Sequence, residues 1–528
     1  MPEMQRRSGF AIVLAAALVS LISFLYFFHH NEILLYGDAV AHINIARRVF
    51  DSQQPGPVQL GTVWLPLPHV LMLLFVIPDW AWRTGAGPSI ISMAAYVFGA
   101  LGIFRLVRAR VGRKTACLAA LAYVLNPNLI YLQTTAMTEP LYLALFIWAM
   151  VFLSEFFDAS RAADQRHANQ SLRRCMYFTA AMMLTRYDGW FVAIWFEAIL
   201  FLHVFRSREL VAQEFRRACL NFLLPLACVG ILWLAYNQLV FHDALAFLRG
   251  PYSARAIAAR SAATSNFTAP GDHHPYVAGL YFLQAAQLNL GEGSWGSAWL
   301  LAAIAGALAI LLYAPRARVL LLLWLPLPFY ALSVAYAGAP IFVPVWWPFS
   351  YYNVRYGLEL LPAIAVCGAV LFALAARRPR ASRLKLVPLA TAAALLVGSY
   401  ASAWRSTPIC LREARANSVS RVAFEQKLAD ALSKLPASST ILIYTGDHVG
   451  ALQRAGIHLR RTVNETLFRT WESGLNDPSR AAEYVVAMAG DPVWHAVERD
   501  KAGLEEVARI ESPGQPTAVI YKANPPFR

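Results

Sequence analysis

Apolar residues along this chain come in long unbroken runs, not in the period-2 alternation of a half-buried strand or the narrow stripe of a soluble helix. A run of about 18 residues or more, rising about 1.5 Å per residue, crosses about 30 Å of hydrocarbon as a helix. Such runs lie near residues 9–28, 88–104, 115–132, 139–157, 175–186, 190–205, 218–240, 296–313, 318–336, 357–376 and 386–404, and predict about eleven transmembrane helices. The run at 175–186 is short and is counted because it keeps the topology consistent. The first run lacks a small-residue cleavage site and is followed by Glu32 and Asp38, so it is expected to stay as a span.

Between the runs lie three long polar segments, and the last changes character. Residues 29–87 hold a polar stretch and then Trp64-Leu-Pro-Leu-Pro-His69, which leads into an apolar run ending at Pro78. That run is too short to span and predicts an interfacial or re-entrant helix. Residues 241–295 predict a long loop of the kind that serves as a lid or binding loop, or stays disordered. From about 405 to 528 the composition becomes that of a soluble domain. Strand-like runs at Thr440–Tyr444, Tyr484–Met488 and Ala518–Tyr521 alternate with helical stretches and predict a small α/β domain. The expected architecture is a polytopic α-helical membrane domain over 1–404 followed by that α/β domain.

Composition agrees. Of 528 residues 58% are apolar and 15% charged, against roughly 45–50% and 25% in soluble domains. An aromatic content of 13% excludes a disordered chain, and six cysteines without CxxC spacing exclude a disulfide scaffold or a thiolate metal site. The net charge of +15 would suit a nucleic-acid binder, but the basic residues sit in short clusters between apolar runs. These are Arg105, Arg108, Arg110, Arg113 and Lys114; Arg161, Arg166, Arg173 and Arg174; Arg206, Arg208, Arg216 and Arg217; Arg316 and Arg318; and Arg377, Arg378, Arg380, Arg383 and Lys385. All fall on one side of an eleven-span topology, which places the N-terminus in the cytoplasm and the C-terminal domain outside. No nucleic-acid partner is expected.

That topology carries the polar residues of interest to the outer side. Asp38 and His42, four apart, share a face if their segment is helical. Asp38 suits a general base, and equally an N-cap for a helix starting near Val40. Glu139 stands in Thr138-Glu-Pro140, which also reads simply as a helix start with Thr138 as its cap. Arg186 and Asp188 lie in Thr185-Arg-Tyr-Asp-Gly-Trp190, either a polar turn with an aromatic anchor or a guanidinium placed for a phosphate. Arg355, flanked by Tyr351, Tyr352 and Tyr356, allows the same two readings, the plainer being a helical pair with Glu359. Glu197 reads as a buried partner of another helix, and His29-His30 and His273-His274 as loop or interface residues. No P-loop or dinucleotide fingerprint occurs, so an activated substrate would arrive in the membrane on a lipid. The sequons at Asn266 and Asn464 fall on the outer side and would be incidental in a bacterium.

In order, these elements are an acid after the first span, the WLPLPHVL stretch, TEPLY around Glu139, TRYDGW around Arg186, and Arg355-Tyr356 followed by Pro362. Together they resemble the integral-membrane GT-C glycosyltransferases, nearest to bacterial relatives of protein O-mannosyltransferases and the lipid A aminoarabinose transferase. The resemblance covers about 9–404. It implies a multi-pass protein of the bacterial inner membrane that moves a sugar, with inversion, from a polyprenyl-phosphate donor to a glycan, lipid or protein acceptor. It further implies Asp38 as catalytic base, Glu139 as a second catalytic acid shaping the pocket, and Arg186 and Arg355 on the donor phosphate. His42, Asp188, Tyr352 and Tyr356 complete the expected substrate-binding set. Many relatives carry two adjacent acids where this chain has Asp38-Ala39, so neither a metal nor a cofactor is expected. A transporter or flippase for a lipid-linked sugar is the competing class. The lack of internal repeats and the one-sided polar groups speak against it.

Overall fold

The computed structural model describes residues 2–61, 63–206, 216–265, 268–377 and 386–524. Arg208, Arg378, Arg380, Arg383, Lys385 and the Asn266 sequon lie outside these residues. Among the described residues nine helices are long and apolar enough to cross a membrane, at Ser8–His29, Ala86–Arg110, Glu139–Arg161, Asp188–Phe205, Arg216–Phe241, Gly293–Tyr313, Pro315–Tyr336, Val354–Arg377 and Leu386–Leu432. Each coincides with an expected span. The other two expected spans are helical but differ in kind. The run at 115–132 is broken into Arg113–Val124 and Pro127–Leu132, because Asn126 caps a new helix and Pro127 cannot continue the old one. The run at 175–186 is the end of a longer helix, Gln165–Met183, whose first half is polar.

The chain divides into two compact units: Met1–His30, Thr62–Pro68 and Ile91–Glu413, and Asn31–Gly61, His69–Ile90 and Ala414–Arg528. In the first unit, Glu139–Arg161 packs along Gln165–Met183 and Gly293–Tyr313 along Leu361–Ala375. The segment expected to be a long loop contains the helix Pro275–Leu290, which packs on Pro326–Tyr336 and on the 3-10 helix Val354–Leu360. That contact is backbone to backbone, since a Cβ on Gly357 would lie 2.4 Å from the Ala285 carbonyl carbon. A buried asparagine knot fixes the same region. Asn126 and Asn128 both donate to the Asn289 carbonyl at 2.9 and 3.0 Å, and the Asn289 amide donates to the Val354 carbonyl at 2.8 Å. Buried amides left unbonded cost about 1–3 kcal/mol each, so this knot specifies one position for the start of Val354–Leu360.

The second unit is built on a five-stranded sheet of order β2-β1-β3-β5-β4. Its strands are β1 (Ile441–Ile443), β2 (Thr462–Val463), β3 (Tyr484–Met488), β4 (Leu504–Ile510) and β5 (Ala518–Ala523). β1 runs parallel to β2 and β3, and β5 runs antiparallel to β3 and β4. One face is covered by Phe424, Leu428 and Leu432 of the helix Ile409–Leu432 with Ala451 and Leu452, and the other by Val493 and Val497. The α/β expectation therefore holds. Asn464 is buried and bonded to Thr462 and Thr466. The second unit also contains a helix Gly37–Arg48 and, from His69 on, the short apolar helix Leu67–Met72, prolonged by a 3-10 turn to Val76. At ten residues Leu67–Val76 is shorter than a span, as its Pro78 stop predicts.

Candidate active site

Three elements of the first unit begin at one place and bring charged side chains together there. Glu139 opens the helix Glu139–Arg161, Asp188 opens Asp188–Arg206, and Arg355 stands in the first turn of Val354–Leu360. Pro140 follows Glu139 in the first turn, where a missing amide proton costs nothing. Thr138 stands at the cap position but its side chain makes no capping bond; instead its hydroxyl accepts from Arg186 Nη1 at 3.2 Å. The short turn 184–187 between two helices carries Arg186 inward.

The arginines and acids are interlocked. Arg186 Nε donates to Asp188 Oδ2 at 3.1 Å and its Nη2 to the Tyr330 hydroxyl at 2.8 Å, while Nη1 lies 3.3 Å from Glu139 Oε1. Tyr330 donates onward to Asp188 Oδ2 at 3.2 Å. Arg355 Nε donates to the same Glu139 oxygen at 3.0 Å, so one carboxylate oxygen joins both guanidinium groups. Glu413 accepts the backbone N–H groups of Val354 and Arg355 at 3.1 and 3.2 Å and lies 3.6 Å from Arg355 Nη1. The Tyr356 ring meets both guanidinium carbons at 5.1 Å.

Four buried carboxylates, Glu139, Asp188, Glu359 and Glu413, thus meet two guanidinium groups among the described residues. Buried charge is costly unless paired. The three element N-termini offset part of the excess, at roughly half a positive charge each. Among the described residues two carboxylate groups are incompletely bonded: Glu139 Oε2 and both oxygens of Glu359 have no hydrogen-bond partner there, although Glu359 Oε1 lies 3.6 Å from Arg186 Nε. The expected Arg355–Glu359 helical pair gives way to Arg355–Glu139, because a 3-10 segment has three residues per turn and separates side chains four apart. Glu359, Glu413 and Tyr330 belong to the cluster without having been singled out as site residues by sequence. Tyr352 lies on a nearby loop, in an isolated bridge with Phe342.

Asp38 and His42 belong to the second unit, where the helix begins at Gly37 and places them one turn apart. The helix begins too early for Asp38 to be its cap; Tyr36 holds that position, and Asp38 stands in the first turn, half-buried. His42 is buried, with Nδ1 2.9 Å from Nε2 of His69, itself fully buried. Burial holds the His69 ring well below the ordinary histidine range, reinforced by His42 and Arg48. No three His, Cys, Asp or Glu side chains among the described residues are arranged to hold a metal ion.

No protein-family model matches this chain, and no curated protein matches it in sequence. Solved structures do. ArnT from Cupriavidus metallidurans bound to undecaprenyl phosphate superposes with a TM-score of 0.56 at 13% identity, over 97% of each chain. The same protein in its apo state gives 0.55 at 14% identity, over 96% of this chain and 97% of that one. The Archaeoglobus fulgidus oligosaccharyltransferase tethered to an acceptor peptide gives 0.51 at 12% identity, over 91% of this chain and 69% of that one. From its first apolar helix to its C-terminal sheet, the chain shares the fold of these solved structures, ArnT and the oligosaccharyltransferase.

Proposed function

We propose that this protein is a membrane glycosyltransferase that moves a sugar from a polyprenyl-phosphate donor to an acceptor hydroxyl, with inversion at the anomeric carbon. The observation that carries the proposal is the likeness along the whole length to a structure holding undecaprenyl phosphate, in a chain with one buried and one partly buried arginine among its helix N-termini. Arg186 and Arg355 are both assigned to the donor phosphate. Arg186, bonded to Asp188, Thr138 and Tyr330 and 3.3 Å from Glu139, also organises the cluster. A guanidinium held in a low-dielectric setting stabilises the negative charge that develops on a departing lipid phosphate.

Asp38 is assigned as the base that takes the acceptor hydroxyl proton while that oxygen attacks. Its first-turn position and partial exposure leave a carboxylate at the start of a helix that is otherwise mostly buried. Glu139 fixes the two guanidinium groups and so shapes the pocket. The site would face away from the cytoplasm, because the basic loops lie on the other side.

The test uses the purified chain in nanodiscs with a panel of radiolabelled polyprenyl-phosphate sugars, following release of polyprenyl phosphate. One donor should be cleaved, and Asp38→Asn should lower the rate about 10²–10⁴-fold while donor binding persists. Normal turnover by Asp38→Asn removes the base assignment. Movement of an uncleaved donor across the bilayer would instead mark a flippase.

A further inference from the structure

Within the second unit, the helix Gly37–Arg48 is held by side chains from distant parts of the chain through two buried polar networks. In the first, Asn44 Nδ2 donates to Gln453 Oε1 at 2.7 Å and to the Val40 carbonyl at 2.8 Å. Gln453 Nε2 donates to the Trp82 carbonyl at 2.7 Å, and Trp82 Nε1 donates back to Asn44 Oδ1 at 3.0 Å. The three residues close a ring of hydrogen bonds across Gly37–Arg48, Asp79–Thr84 and the helix Val449–Ala455, and all three are buried. In the second, the buried Arg47 gives Nε to Asp51 at 2.8 Å, Nη1 to the carbonyls of Val76 and Ile77, and Nη2 to Asp79 at 2.7 Å. His458 joins it through Asp51 at 3.0 Å and stacks on Trp82.

Apolar side chains would bury this helix as firmly, but they would tolerate rotation about its axis. A buried amide ring does not: any other rotation leaves the Asn44 amide, the Gln453 amide and the Trp82 indole without partners, each at a cost comparable to a lost hydrogen bond. The ring therefore contributes specificity of orientation more than raw stability.

We propose that Gln453 is a positioning residue: by closing the ring with Asn44 and Trp82 it fixes the rotation of Gly37–Arg48 and hence the direction in which Asp38 is presented. This rests on the assignment of Asp38 as the base. It gives the C-terminal α/β domain a task, that of holding a catalytic helix, which needs no contact with acceptor.

The test measures hydrogen exchange of the full-length protein in nanodiscs together with donor cleavage. In Gln453→Leu, amides of residues 37–48 should exchange about tenfold faster or more, because two hydrogen bonds are lost. Those of β1 and β3 should stay protected, which shows that the domain is folded. Turnover should fall at least about tenfold with the KM for donor unchanged, a split that simple loss of folded protein does not produce. Asn44→Leu should give the same result, and the double variant should be no worse than the poorer single one, as expected for members of one network. Asn44→Ala leaves the α/β domain's own residues untouched and serves if Gln453→Leu does not fold. Unchanged exchange over 37–48, or fully additive effects of the two changes, would overturn the proposal. Faster exchange with unaltered turnover would support the ring and overturn the assignment of Asp38.

Discussion

Among the residues of the arginine cluster, Glu139 has the least ordinary position, since one of its oxygens serves both guanidinium groups and the other serves none. If Arg355 receives a lipid phosphate, Glu139 is the carboxylate that competes for it. Glu139→Gln keeps the shape and an acceptor oxygen but removes the charge. Its affinity for undecaprenyl phosphate should rise several-fold, while turnover falls because both guanidinium groups lose their common anchor. Equilibrium binding in nanodiscs checks this, and weaker binding by Glu139→Gln would show that Glu139 supports the phosphate site instead of competing with it. His69 gives a second expectation at this scale. Its ring titrates well below the ordinary value of 6.5 because it is buried, with His42 and Arg48 adding to the effect. A group with a depressed folded-state pKa contributes stability above its unfolded value that is lost as the pH falls below it. Wild-type melting temperature should therefore decline below about pH 6.5, and His69→Leu should decline less. Asp491, pushed up to about 6 by burial, has the opposite sign: its contribution is present below 3.8 and lost as the pH rises through about 6. It is common to both proteins, so it cancels in the comparison.

The elements that hold the cluster depend on close backbone approach. Gly357 leaves no room for a methyl group, since a Cβ would meet the Ala285 carbonyl carbon and the Ala286 nitrogen at 2.4 Å. Neither atom can move without shifting the helix Pro275–Leu290. Gly357→Ala should cost about 1–3 kcal/mol as an overpacking change. It should also reduce donor cleavage by more than the loss of folded protein, because Arg355 and Glu359 ride on the displaced 3-10 segment. Melting temperature and turnover measured on the same preparation separate the two effects. This element also shows where sequence reading stops. The long apolar helices were legible because the bilayer demands about 20 apolar residues whatever the fold. β1, β3 and β5 were legible because they are continuous buried apolar runs. β4 was not, because an edge strand with Glu505, Glu506 and Arg509 and a bulge near Ala508 has no such pattern. The plainer of the two readings of Arg355 fails for a related reason: four-residue spacing predicts a pair with Glu359 only if the segment is an α-helix. Glu413 reaches the Val354 and Arg355 amides across 58 residues or more, which nothing in the local sequence signals.

For the molecule as a whole, the sequence motifs are individually weak and the fold likeness is strong, and the two bear on different questions. At 13% identity over 97% of both chains, the superposition on ArnT fixes the path of the backbone but no side chain's role. What it does supply is a ligand to try. A lipid phosphate that binds only the folded chain stabilises it by mass action, by about 2.7 kcal/mol when the ligand is at 100 times its Kd. Undecaprenyl phosphate should therefore raise the melting temperature of the detergent-solubilised protein in a concentration-dependent way, without any acceptor or sugar being known. Arg355→Ala should abolish most of that shift. Asp38→Asn should retain it if Asp38 is the base, because a base would act on the acceptor side of the reaction. A shift of equal size in all three proteins would show that the lipid binds through its polyprenyl tail alone, and Arg355 would then be a structural partner of Glu139 and Glu413 with no part in donor binding.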